Sequence, residues 1–231
     1  YRRINGYAPY IIQQVPATTL SSEPMLMSAL FHDYVVAARG EKIFSSASTT
    51  VSQKIIAGTA MTGSGTINAK STTSFSSSGT IYIDSEIFTY TGVTATTFTG
   101  VTRAASSTTA AAHAANVVIS ESWTERDTGR TNAAKYKFER FNFDGSDKFI
   151  IVDQANAPTV FNTSLAATDV STSSVAGAKH VAAFKNHMFY SGMSSTPQEV
   201  VFSVSFDEDN FGSGAGSIKV DDTIVGLKVF R

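Results

Sequence analysis

The last quarter of the chain, Lys179 to Phe230, constrains the fold most tightly. Short apolar runs alternate there with turn-like breaks: Val181-Ala-Ala-Phe184, the turn pair Lys185-Asn186, His187-Met-Phe-Tyr-Ser191 and Gly192. Beyond a polar loop come Glu199-Val-Val-Phe-Ser-Val-Ser-Phe206, an acidic glycine-rich loop, Ile218-Lys-Val220 and Ile224-Val-Gly-Leu-Lys-Val-Phe230. About four or five strands at this spacing, with no helical segment between them, predict antiparallel sheets joined by hairpins. The fold class expected is all-β.

The other segments extend that reading. Leu30 to Ala38 is strand-like, ends at Arg39-Gly40 and is answered by Glu41-Lys-Ile-Phe44, a hairpin pattern. Met25–Ala29 is too short to hold as a helix. Between Val51 and Trp123 the composition shifts to Thr, Ser, Ala and Gly. Ser71–Ser78 alone would pass for a linker, but Gly79-Thr-Ile-Tyr-Ile-Asp84 and Glu86-Ile-Phe-Thr-Tyr90 keep a period of two. Gly92 and Gly100 then bracket Thr96–Thr99, so a small half-buried sheet is expected there. Ala104–Ala115 carries alanine without apolar periodicity and reads as a long loop. Aromatic strands return at Lys135–Phe143, where the apolar side switches after Arg140 and suggests a bulge. Asp144-Gly145 turns that strand back on Lys148–Asp153.

The organisation expected is therefore one β domain from residues 1–50 and 124–231, interrupted by an inserted β domain at 51–123. A loose motif recurs at Tyr34–Gly40, Phe149–Asp153 and His187–Gly192, each a candidate inner strand of a propeller blade. The chain opens on Tyr1 and stops at Arg231 inside an apolar run, so both ends read as cut from something longer.

Composition narrows the function classes. The 231 residues carry 16% charged side chains and a net charge of −1, too little positive charge for a nucleic-acid binder; Arg2-Arg3 reads as a solvated strand end. There is no cysteine, which removes disulfide scaffolds and thiolate metal sites. No apolar run approaches the roughly 20 residues of a membrane-spanning helix. His32, His113, His180 and His187 lack metal-ligand spacing, and no serine sits in a nucleophile elbow. Gly212-Ser-Gly-Ala-Gly216 lacks the following Lys and helix of a phosphate loop. The acidic groups Asp207–Asn210 and Asp221-Asp222 read as hairpin loops with solvated charges that cap local amides, with calcium as the alternative. Asp84 and Glu86 read as one exposed strand face. No catalytic, metal or cofactor residue is expected.

The segment Phe184–Gly192, Val201-Phe-Ser203, Asp209-Asn-Phe211, Gly214–Val220 and Asp222–Phe230 resembles the β-propeller part of tailed-bacteriophage tail nozzles, the tail tubular protein B family. Arg2–Tyr7 resembles the strand that opens that propeller. Phe138–Phe143 with Asp153-Gln-Ala-Asn156 resembles another blade, Gln154 standing where the family has a glycine. Gly79–Gly92, Phe98–Arg103 and Thr108–His113 resemble a small β module of phage tail and baseplate proteins. The resemblance implies a non-enzymatic virion tail protein, assembled in the host bacterial cytoplasm. Copies would form a ring, six-fold by analogy, around the path of the genomic DNA, with the tail adaptor and fibres or tailspikes as partners. The competing readings are a carbohydrate-binding adhesin module, with Trp123 as its single tryptophan platform, and a tailspike depolymerase domain using Asp207 or Asp221.

Overall fold

The structure is a computed structural model and describes residues 25–55, 65–131 and 135–229. The described chain is all-β. Its strands are β1 Met25–Phe31, β2 Tyr34–Arg39, β3 Lys42–Thr50, β4 Gly65–Asn68, β5 Gly79–Ile83, β6 Glu86–Tyr90, β7 Gly92–Val93, β8 Thr97–Val101 and β9 Val118–Glu121. They continue as β10 Thr124–Asp127, β11 Lys137–Phe141, β12 Lys148–Val152, β13 Thr159–Phe161, β14 Ala167–Asp169, β15 His180–Phe184, β16 His187–Ser191, β17 Glu199–Phe202 and β18 Gly216–Lys219. No sheet among the described residues closes into a barrel. Among the described residues no helix is long and apolar enough to cross a membrane.

These strands fall into two compact units. The first holds Asp33–Val35 and Ser46–Thr124; the second holds His32 and the described residues before it, Val36–Ser45, and the chain from Glu125 onward. In the first unit the end of β3 pairs with β9, which leads to β5 and β6, and a separate sheet runs β4-β8-β7. Period-two alternation puts Ile81, Ile83, Phe88 and Tyr90 inside, where Tyr90 and Phe75 meet Phe98 edge-on at 5.0 Å. Ser71–Ser78 is no linker, since it buries Thr72 and Phe75. Gly100 is required as glycine: its φ is +62°, and a Cβ there would lie 1.9 Å from the Thr91 hydroxyl.

The second unit contains three successive sets of strands. β1 pairs with β2, β2 with β3, and β3 with β10. Two four-stranded antiparallel sheets follow, β11-β12-β13-β14 and β15-β16-β17-β18, each running up and down in chain order. The three recurring segments noted in the sequence, Tyr34–Gly40, Phe149–Asp153 and His187–Gly192, all fall on the second strand of their set. Each of these strands is left through a left-handed residue: Gly40 (φ 56°), Gln154 (φ 70°) and Gly192 (φ 76°). The Lys185-Asn186 turn has positive φ at both residues, the conformation that matches strand twist in a two-residue hairpin.

The middle sheet is covered on both faces. Phe149 meets Phe31 of β1 at 5.7 Å and Phe138 at 5.3 Å. On the opposite face Phe141, Ile150 and Val152 pack in one core with Val181, Met188 and Tyr190 of the last sheet. This explains the switch of apolar side in Lys135–Phe143. The predicted bulge is absent, since Lys137–Phe141 pairs with Lys148–Val152 in unbroken register. Phe138 and Phe141 serve opposite faces of a sheet that has two covered sides.

Leu30–Ala38 is not one strand; it breaks at His32-Asp33, with His32 at φ 50°, so Met25–Phe31 and Tyr34–Arg39 form their own hairpin. The strand from Glu199 ends at Phe202, where the Ser203 hydroxyl donates to the Val204 carbonyl and accepts from the Met188 amide. Ile224–Val229 forms no strand; its Ile224 amide donates to the Pro197 carbonyl, while Val225 is exposed. Arg2–Tyr7, Phe230 and Arg231 lie outside the described residues. Gln154 adopts the backbone that a glycine would take without penalty. Gln154→Gly should therefore raise stability by up to about 1 kcal/mol, the relieved strain exceeding the added chain entropy. Urea unfolding at unchanged slope measures it, and Gln154→Val should move the midpoint the other way.

Candidate functional site

The densest polar constellation in the first unit is built where the sequence suggested surface. β5 and β6 are joined by Asp84-Ser85, with Asp84 at φ 51°. Glu86, the first residue of β6, is fully buried, which corrects the reading of Asp84 and Glu86 as one exposed face. The Arg103 guanidinium donates to both Glu86 oxygens, Nε to Oε1 at 2.8 Å and Nη2 to Oε2 at 2.6 Å. The amides of Ala104 and Ala111 add donors at 3.2 and 2.9 Å. His113 places Nε2 2.8 Å from Glu86 Oε2 and Nδ1 2.8 Å from Asp84 Oδ2. Both nitrogens can donate at once only in the imidazolium form.

Burial alone would push the Glu86 carboxyl up. Arg103, the two amides and His113 outweigh it and hold the group at about 2, against an ordinary 4.5. The predicted loop Ala104–Ala115 is therefore a loop wrapped around a carboxylate. Arg103 also donates to the Ala111 carbonyl and stacks 5.4 Å from the Phe88 ring centre. Each ring nitrogen of buried His113 is already engaged, so the cluster presents no free base to a substrate and acts as an anchor. The partners stand 17 and 27 residues from Glu86, beyond the reach of any local motif.

The second unit has a corresponding buried pair. Arg130 donates from Nε to Asp153 Oδ2 at 3.0 Å and from Nη1 to Asp127 at 2.8 Å and to the Thr159 hydroxyl at 2.6 Å. Its amide donates to the Glu41 carbonyl, tying the β2–β3 turn to the middle sheet. Asp153 also accepts from the Ala155 and Asn156 amides and from the Asn156 side chain. Burial works against both charges, yet these donors depress the Asp153 carboxyl, and Asp127 with Asp153 raises the Arg130 guanidinium.

The other singled-out residues are dispersed. Buried His180 lies 2.6 Å from Lys137 Nζ, and burial together with Lys137 pushes its imidazole below its ordinary range. The Nδ1 of His187 sits 2.6 Å from the Ser203 carbonyl, and His32 Nε2 is 3.5 Å from Asp147. In the acidic loop Asp207 and Asn210 accept from the Asp209 and Gly212 amides, and Asp222 from the Thr223 amide, as expected of capping side chains. Glu208 departs from the expectation of solvated charge: it is buried, and Lys148 Nζ donates to it at 2.8 Å. Gly212–Gly216 leads directly into strand β18. Trp123 is partly buried. Among the described residues no group of three or more His, Asp or Glu side chains is arranged to hold a metal ion. Comparison with protein-family models, curated proteins and solved structures gives no match.

Two outcomes follow from these pairs. A carboxyl depressed on folding contributes stability above its unfolded value and loses it as pH falls toward the folded one. The first unit should therefore lose stability between pH 4.5 and about 2, read by Trp123 fluorescence, and Glu86→Gln should flatten that slope and weaken the unit at neutral pH. Arg130→Met strands a buried Asp153 and should cost about 3–5 kcal/mol in urea unfolding. Arg130→Lys should recover only part, because a single ammonium cannot reproduce the guanidinium fork.

Proposed function

We propose that this chain is a structural component of a tailed-phage virion tail, part of a nozzle-type ring around the DNA exit path. One observation carries the reading most of the way. Three successive strand sets, β1-β2-β3-β10, β11–β14 and β15–β18, follow one another in chain order, and neighbouring sets share buried side chains, as propeller blades do. The segment between β3 and β10 belongs to a compact β unit together with the end of β3 and Asp33–Val35, which suits a tail module inserted at that point of the chain. A near-neutral, weakly charged chain also suits a wall that a polyanion must pass without being gripped.

In this reading the partners are further copies of the chain, a tail adaptor and fibres or tailspikes. The genomic DNA passes without sequence-specific contact, and the protein is assembled in the bacterial cytoplasm without enzymatic activity. Its buried ionic clusters serve as anchors that keep sheets and loops in register. Purified full-length protein should form rings, visible by negative-stain microscopy and as a discrete oligomer mass in mass photometry. A stable monomer at micromolar concentration contradicts the proposal.

A further inference from the structure

At one end of the second unit, the first hairpin turn of each strand set contributes to a cleft of about 610 Å³, within the range of ligand-binding clefts. Its walls are the His32 turn, the loop from Asn142 to Asp147 and the turn from Phe184 to Asn186. Most charges that line it are spent. Asp147 accepts from the Asn142 side-chain Nδ2 at 2.9 Å and faces His32 at 3.5 Å. Lys148 is committed to Glu208 at 2.8 Å and Asp144 at 3.3 Å, and Glu139 has a partner of its own.

Two cations remain. Exposed Arg140 has no ionic partner among the described residues, and Lys185 only overlies the Phe184 ring at 5.4 Å. Phe184 itself is 43% exposed, an apolar surface beside Lys185 in the lining of the same cleft as Arg140. We infer that this cleft receives an acidic peptide segment of a partner protein, with separate carboxylates on Arg140 and on Lys185 and an apolar side chain against Phe184. Arg offers a carboxylate a bidentate fork, and the aromatic wall favours a ligand that carries apolar and anionic groups together. A nucleic-acid strand fits less well, because two cations release few counterions and the chain carries a net charge of −1.

The inference does not depend on ring formation, so it can fail or succeed separately from the tail reading. The probe is a fluorescein-labelled peptide of alternating glutamate and leucine, titrated with the full chain at low salt by fluorescence polarisation. Its glutamine counterpart, inorganic phosphate and oligothymidylate serve as comparisons. Arg140→Gln and Lys185→Asn remove the charges while suiting a strand and a left-handed turn, and thermal unfolding checks that both variants fold. Saturable binding is expected, weakened severalfold by either change and on the order of tenfold or more by both. Four results overturn the inference: no saturation, equal affinity in the folded double variant, equal binding of the glutamine peptide, or tighter binding of phosphate or oligothymidylate at the same residues.

Discussion

Apolar side chains on both faces of β12 have to be covered twice, and that requirement organises the second unit. Phe149, Ile150, Ile151 and Val152 are all buried in one five-residue strand. A sheet with one wet face would alternate; this one needs a neighbour on each side. The neighbours are the sheets that precede and follow it in sequence, so chain order and packing order coincide. Arg130 then fixes where the first neighbour sits, because its guanidinium and amide together engage the middle sheet and the β2–β3 turn. Breaking that pair leaves a buried carboxylate uncompensated, whereas most surface changes would alter little.

The first unit solves a different problem. It has short strands, many hydroxyl side chains and a long connection from Ala104 to Ala115 whose regular structure is a short 3-10 turn and a single bridge from His113 to Ile55. Such a loop could not be held by apolar burial alone. Glu86 supplies the missing order by collecting donors from Arg103, from two loop amides and from His113. Both units thus rest on a buried carboxylate satisfied by an arginine and by backbone amides, and in each the carboxyl is held ionised against the cost of burial.

Periodicity made the strands legible. The β5–β6 and β15–β16 hairpins follow from alternation and from turn residues that accept positive φ. Single-residue punctuation was fainter: Asp33 is the one turn-favouring residue at the His32-Asp33 break, set among flanking strand formers. The apparent bulge at Arg140 was a reading of one covered face where there are two. The ionic anchors stayed hidden for a different reason. Glu86 sits at a strand start beside an acidic turn, a pattern that usually faces water, and its partners come from far along the chain. Glu208, inside an acidic run, was disguised in the same way by its neighbours. At the Asp153 turn Gln154 takes φ 70°, the backbone that a glycine there would adopt without penalty.

The middle sheet is the buried keel of the second unit. Native-state hydrogen exchange measures this directly, since amides in the last structure to open exchange only through global unfolding. The amides of Phe149–Val152 should be the slowest of the unit, slower than those of the edge strand β14, with Asp153→Asn accelerating β10 and β12 together. Exchange in β12 as fast as in β14, or acceleration confined to one of the two strands, would contradict it.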